Sequence, residues 1–97
     1  MPINGELVPV SDYGLYKNIT VDTLIKTGPG ALVGVIVNSH TSGTLKMWDN
    51  TSAATTVIFN TITFGATERF MPFYGAKFTV GCYADIGGTV DLTIIYN

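Results

Sequence analysis

The single histidine, His40, stands in Asn38-Ser39-His40-Thr41-Ser42-Gly43, with a serine on either side of it. An imidazole beside a hydroxyl is where nucleophilic catalysis starts, with the histidine as general base for Ser39 or Ser42. The reaction also needs a third group to orient the imidazole, and none stands at a recognisable spacing. His40 is therefore expected to be a solvated turn residue. Asp49 and Glu68 would suit glycosidic hydrolysis if they faced one another, but nothing in the sequence brings them together. Asp85 and Asp91 flank Gly87-Gly88 and would share a calcium ion if their strands paired suitably. Two solvated acids at a hairpin end is the simpler expectation. Cys82 is the only cysteine, so no internal disulfide forms. It falls between Val80 and Ala84 on an alternating face, which predicts a buried structural thiol.

Trp48 offers binding rather than catalysis. Strict alternation puts Leu45 and Met47 on one face and turns Trp48 away from the core. With Asp49 and Asn50 beside it, the indole would make a platform for a sugar ring. Asn18-Ile19-Thr20 and Asn50-Thr51-Ser52 match the glycosylation sequon. They are expected to be chance, because the start Met1-Pro2-Ile3-Asn4-Gly5-Glu6 lacks the basic and apolar regions of a secretory signal. No catalytic, cofactor-binding or metal-binding set emerges, and an enzyme is not expected.

These residues are carried by a chain of 97 residues with unusually little charge: 12% Asp, Glu, Lys and Arg, against about 25% in ordinary soluble domains. Hydrophobic residues make up 46% and the mean hydropathy is +0.35. A domain this small has much surface for its volume and needs polar cover. Low charge therefore implies a membrane or a surface covered by other protein. A membrane helix takes roughly 20 consecutive apolar residues, and the best run, 31–37, is much shorter and contains Gly34. A net charge of −2, with Lys17, Lys26, Lys46, Arg69 and Lys77 scattered, argues against nucleic acid. Covered protein surface remains.

The elements read as strands. Thr, Val, Ile, Tyr and Phe dominate, with turn residues at the spacing of sandwiches and barrels. Residues 89–96 alternate cleanly, as do 77–83, and Gly87-Gly88 between them predicts a hairpin. Residues 19–26 alternate as one strand, and Gly28-Pro29-Gly30 then forces a turn. In 31–37 both faces are apolar, as in a strand that is central or lies under a neighbouring subunit. Strands are also expected over 44–49, 56–64 (interrupted near Asn60) and 68–73, with polar turns at 38–43 and 50–54. Residues 1–17 contain Pro2, Gly5, Pro9 and Gly14, which break a regular ladder. Ile3, Leu7, Val8, Val10, Tyr13, Leu15 and Tyr16 make that segment too apolar for a free tail. It reads as an extended arm on a body formed by 18–97. The fold expected is one antiparallel β-sandwich or compact, jelly-roll-like barrel of about seven or eight strands.

The run Lys26-Thr27-Gly28-Pro29-Gly30-Ala31-Leu32 leads from a turn into an apolar strand. Ser42-Gly43-Thr44, Trp48-Asp49-Asn50-Thr51-Ser52, Phe59-Asn60-Thr61-Ile62 and the closing 87–96 follow it. This succession resembles the small head decoration (cement) proteins of tailed bacteriophage virions over roughly residues 20–97. The resemblance implies a structural protein bound outside the major capsid protein lattice. Its partners would be that capsid protein and two further copies of itself in a homotrimer, without cofactor. It would lie on the capsid exterior of a virion assembled in the host cytoplasm. The arm, with Trp48 and Met47 as anchors, is then expected to make the contacts between subunits. The alternative is a carbohydrate- or receptor-binding module of a phage tail or fibre, built around Trp48.

Overall fold

The computed structural model describes residues 14–97, which form an all-β, wholly antiparallel arrangement of six strands. They are β1 (Leu15–Ile19), β2 (Thr23–Thr27), β3 (Gly30–Trp48), β4 (Val57–Thr63), β5 (Phe70–Phe78) and β6 (Gly81–Tyr96). The expected count of seven or eight drops because β3 and β6, at 19 and 16 residues, each run through a place where a turn was expected. Asn38–Gly43 is no turn: it lies inside β3. Gly87-Gly88 makes no hairpin, and the chain crosses it within β6. The two long strands pair along their length, from Leu32 opposite Tyr96 to Trp48 opposite Tyr83.

That long pair organises the rest. One half of it, the start of β3 with the end of β6, is flanked by β5 and β1. The other half is flanked by β4 and β2. Between the halves the β3–β6 register slips twice, between Val37 and Ser39 and between Thr41 and Thr44. Ser42 takes φ 51° and Gly88 φ 70° there. A slipped register with left-handed residues is a β-bulge, which bends and twists a strand without ending it. Gly88 is required: a β-carbon on it would collide with the Ser42 carbonyl oxygen.

The expected strand over 19–26 is likewise two elements. Val21, which the alternation placed on one face with Ile19 and Ile25, is exposed in the connection between β1 and β2. Val80, expected inward with Cys82, is exposed in the two-residue turn joining β5 to β6. Leu15 and Tyr16, read as part of the arm, pair with Tyr96 and Ile95 in β1. The predicted interruption near Asn60 is present as the register slip between Met47↔Phe59 and Leu45↔Ile62. Inward-facing side chains from both halves meet in one core: Leu32, Val35, Val37, Leu92 and Ile94 from one, Ile25, Leu45, Met47, Cys82 and Ala84 from the other. At the margins, Lys17 Nζ donates to the carbonyls of Leu24 and Ile25 across the β1–β2 gap, and Phe59 of β4 stacks on Phe73 of β5 at 4.8 Å.

Candidate functional site

Among the described candidates, His40, Asp49, Asp85 and Asp91 are hydrogen-bonded within the fold. His40 Nδ1 accepts the Gly43 N–H at 3.3 Å, and Nε2 lies 2.8 Å from the Gly65 carbonyl oxygen. An acceptor at Nδ1 leaves the proton on Nε2, so both nitrogens serve the backbone and neither is left for Ser39 or Ser42. The ring also lies 5.5 Å from that of Phe64. His40 is thus a tie between the β3 bulge and the 64–69 loop rather than a solvated turn residue.

Asp49 follows β3, and its carboxylate crosses to the β5–β6 turn. It accepts the N–H groups of Thr79 at 3.0 Å, Val80 at 2.8 Å and Gly81 at 3.3 Å, with the Thr79 hydroxyl at 3.3 Å. Partial burial is the largest single influence on this group and pushes its pKa up. The donors of Val80, Thr79 and Gly81 together outweigh burial and hold it below its ordinary value. Glu68 precedes the other end of β5, so the two carboxylates are separated by the nine residues of that strand, roughly 25 Å. They form no hydrolytic pair.

Asp85 and Asp91 also have separate roles. Asp85 accepts the Trp48 indole N–H at 3.2 Å. Asp91 Oδ1 accepts amide hydrogens from Asn18 at 2.7 Å and Asn38 at 3.1 Å. Among the described residues no three His, Cys, Asp or Glu side chains gather to hold a metal ion. Cys82 is enclosed beside the Met47 sulfur, 4.0 Å away. Burial, and secondly the Asp49 charge, push its thiol up to about 12.

Trp48 faces outward as alternation requires, but Lys46 Nζ covers one ring face at 4.1 Å. Met47, expected as a contact anchor, has 0% exposure and belongs to the core. Ile3, Leu7, Val8, Val10 and Tyr13 lie outside the described residues.

A surface that the chemistry-bearing residues did not announce lies on the half built from β1, β6, β3 and β5. The row Lys17–Ile94–Val35–Met71 points to the core through Val35 and Ile94. The rows on either side, Tyr16–Ile95–Gly34–Pro72 and Asn18–Thr93–Ile36–Phe70, therefore point outward. A β-carbon on Gly34 would lie 2.7 Å from the Phe70 ring, so that ring rests across the glycine, against the sheet. Phe70 is still half exposed and Tyr16 three-quarters exposed. Tyr74 adjoins the face at 89% exposure, on a bulge where Tyr74 and Gly75 take φ 55° and 74°. Asn18, Asn38 and Thr93 form a hydrogen-bonded polar margin around Asp91. The doubly apolar run 31–37 signalled this face, but which side chains turn outward depends on partners far away in sequence.

No family model matches the chain, and no match was found among curated proteins or solved structures.

Proposed function

We propose that this chain is a structural virion protein that binds the outside of a tailed phage's major capsid protein lattice as a trimer, decorating and stabilising it. The observation that carries the reading is the outward face of Tyr16, Ile36, Phe70 and Ile95, which leaves aromatic and aliphatic side chains in water on a chain with little charge elsewhere. Such patches on small proteins mark surfaces that other protein covers. The turn motifs resembling cement proteins suggest which protein that is.

The mechanism is mass action. A partner that binds the assembled lattice and not its free subunits stabilises the lattice by RT ln(1 + [L]/Kd), about 2.7 kcal/mol at a hundredfold excess over Kd. No covalent step is needed. We also propose that the six-stranded sheet closes into a sandwich. The single core shared by both halves, the Lys17 bridge and the Phe59–Phe73 stack support this closure. The arm residues Ile3, Leu7, Val8, Val10 and Tyr13 are retained as subunit contacts. A sugar platform at Trp48 is disfavoured, since Lys46 covers one ring face and Asp85 takes the N–H.

The test is co-sedimentation of the purified chain with shells of the capsid protein encoded by the same genome, followed by heating. Saturable binding and a higher shell-opening temperature are expected. Shells that neither retain the chain nor gain stability would sink the proposal.

A further inference from the structure

Three of the five cations are engaged within the fold. Lys17 Nζ donates to the Leu24 and Ile25 carbonyls, Lys46 covers the Trp48 ring and Arg69 donates to the Glu68 carbonyl. The other two, Lys26 and Lys77, have no hydrogen-bond or ion-pair partner among the described residues. Both line one cleft of about 430 Å³. We infer that this cleft binds a small organic carboxylate, whose anionic group meets the two ammonium groups while its hydrocarbon body lies on the cleft floor. The inference goes beyond the decoration proposal and does not depend on it.

The fold brings the two lysines to the cleft from different strands. Lys26 stands one residue before the end of β2, and the Gly28-Pro29-Gly30 turn carries the chain from there into β3. Lys77 is opposite Ala31 in the β3–β5 ladder. Pro29, Ala31 and Phe78 give the cleft its apolar lining. Phe78 is buried, and a β-carbon on Gly30 would stand 2.7 Å from its Cζ, so the ring tip lies directly beneath the glycine. Asn97 completes the lining, its N–H and carbonyl oxygen each bonded to Ala31 at 2.8 Å. Thr79 gives its N–H and hydroxyl to Asp49, so that neighbouring carboxylate is occupied by donors of its own. Even with a chain-terminal carboxylate at Asn97, the lining keeps a net positive charge, on a chain whose net charge is −2.

The residue types select the ligand class. Unpaired ammonium groups attract an anion, and lysine does so as a point charge without the fixed fork of arginine. The apolar floor narrows the choice. Inorganic phosphate leaves Pro29, Ala31 and Phe78 in water, whereas a carboxylate on a short hydrocarbon covers them. A neutral alcohol of the same length covers the floor but leaves both lysines unpaired. A concave, mainly apolar lining with a few convergent polar groups is the usual form of a small-ligand site, and the cleft volume falls within the usual range of ~300–1,000 Å³.

The test is NMR titration of the full chain with sodium hexanoate, 1-hexanol and inorganic phosphate in parallel. Hexanoate is expected to shift the amide signals of Ala31, Phe78 and Thr79 saturably, with a Kd on the order of 1–10 mM for so small a ligand. Hexanol and phosphate, each lacking half of the recognition, are expected to bind at least about fivefold more weakly. Lys26→Gln/Lys77→Gln removes both charges and is expected to weaken hexanoate binding about five- to tenfold while leaving hexanol unchanged. Raising NaCl from about 0.05 to about 0.5 M should weaken hexanoate and spare hexanol in the same way. Three results overturn the inference: no saturable shift at these amides, hexanol or phosphate binding as tightly as hexanoate, or undiminished hexanoate affinity in the lysine variant. If the double variant fails to fold, Lys77→Gln, at an exposed position, and the salt series decide. Shell co-sedimentation reports separately on the decoration proposal, so either reading can fail while the other stands.

Discussion

Asp49 shows how one side chain can fix a join that no local signal announces. Its carboxylate receives three consecutive N–H groups, Thr79 to Gly81, thirty residues away. Hydrogen bonds to a charged group contribute about 1.5–3 kcal/mol each at most, and these share one partly solvated acceptor. Asp49→Ala should therefore cost about 2 kcal/mol in urea unfolding, with an unchanged m-value. The pH dependence follows from the lowered carboxyl. The unfolded chain takes up the proton near the ordinary value of 3.8, while the folded chain resists until lower pH. The stability from this group is thus complete above about pH 4 and is lost as pH falls through the folded value. Asp49→Asn should flatten that part of the acid limb in unfolding curves from pH 2 to 6. An unaltered limb would show that the turn does not depend on the charge. Tyr74 should behave oppositely. Relief of its left-handed backbone by Tyr74→Asn should stabilise the monomer by up to ~1 kcal/mol, read as a Tm rise of a few degrees.

At the scale of elements, alternation located several strands but also read 77–83 as one strand, where the turn at 79–80 separates β5 from β6. β6 beyond Gly88, β4 with its slip at Asn60, and the turns at Gly28-Pro29-Gly30 and 50–54 could all be read from period and turn residues. What failed was the distinction between a turn and a bulge. Gly, Asn and Ser supply left-handed backbone to both, and only the partner strand decides whether the chain reverses there or continues. At Gly87-Gly88 it continues, because β3 runs alongside with its own bulge at Ser42. Val21 and Val80 were misplaced for a related reason: a connection too short to show turn residues reads as more strand. The candidate catalytic residues were readable as weak, whereas their true partners were not, since Gly65 lies 25 residues from His40 and Asp91 lies 73 from Asn18. Gly88→Ala tests the bulge. It imposes left-handed strain and drives a methyl group into the Ser42 carbonyl, so a loss of about 2–3 kcal/mol is expected. Gly65→Ala, where a β-carbon would meet only an ordinary contact with Glu68 Oε1 at 3.8 Å, should cost well under ~1 kcal/mol. Equal costs at the two sites would mean that the β3–β6 bend is not held by that close approach.

For the whole molecule the decisive feature is that one core draws on both halves of the bent β3–β6 pair, so neither half has an apolar interior of its own. Cys82 reports on this. Its side chain is fully buried in that core beside the Met47 sulfur, and its thiol is pushed up to about 12. Only the thiolate reacts with a disulfide reagent, so labelling at pH 8 needs an opening that admits water to the core. If the halves part only when the chain unfolds, the labelling rate is the unfolded-state rate multiplied by the unfolded fraction. For a domain stable by even 5 kcal/mol, that is at least a thousandfold slower than in urea. The rate should also rise with sub-denaturing urea along the slope of the global transition. Disrupting either half should then accelerate labelling by the same factor that it lowers global stability, Asp49→Ala at one end and Gly88→Ala at the bend. A fast, urea-independent rate would instead mean that the halves separate locally while their strands stay paired. In that case the shared core would be an open seam, and the closure proposed for the sheet would be wrong.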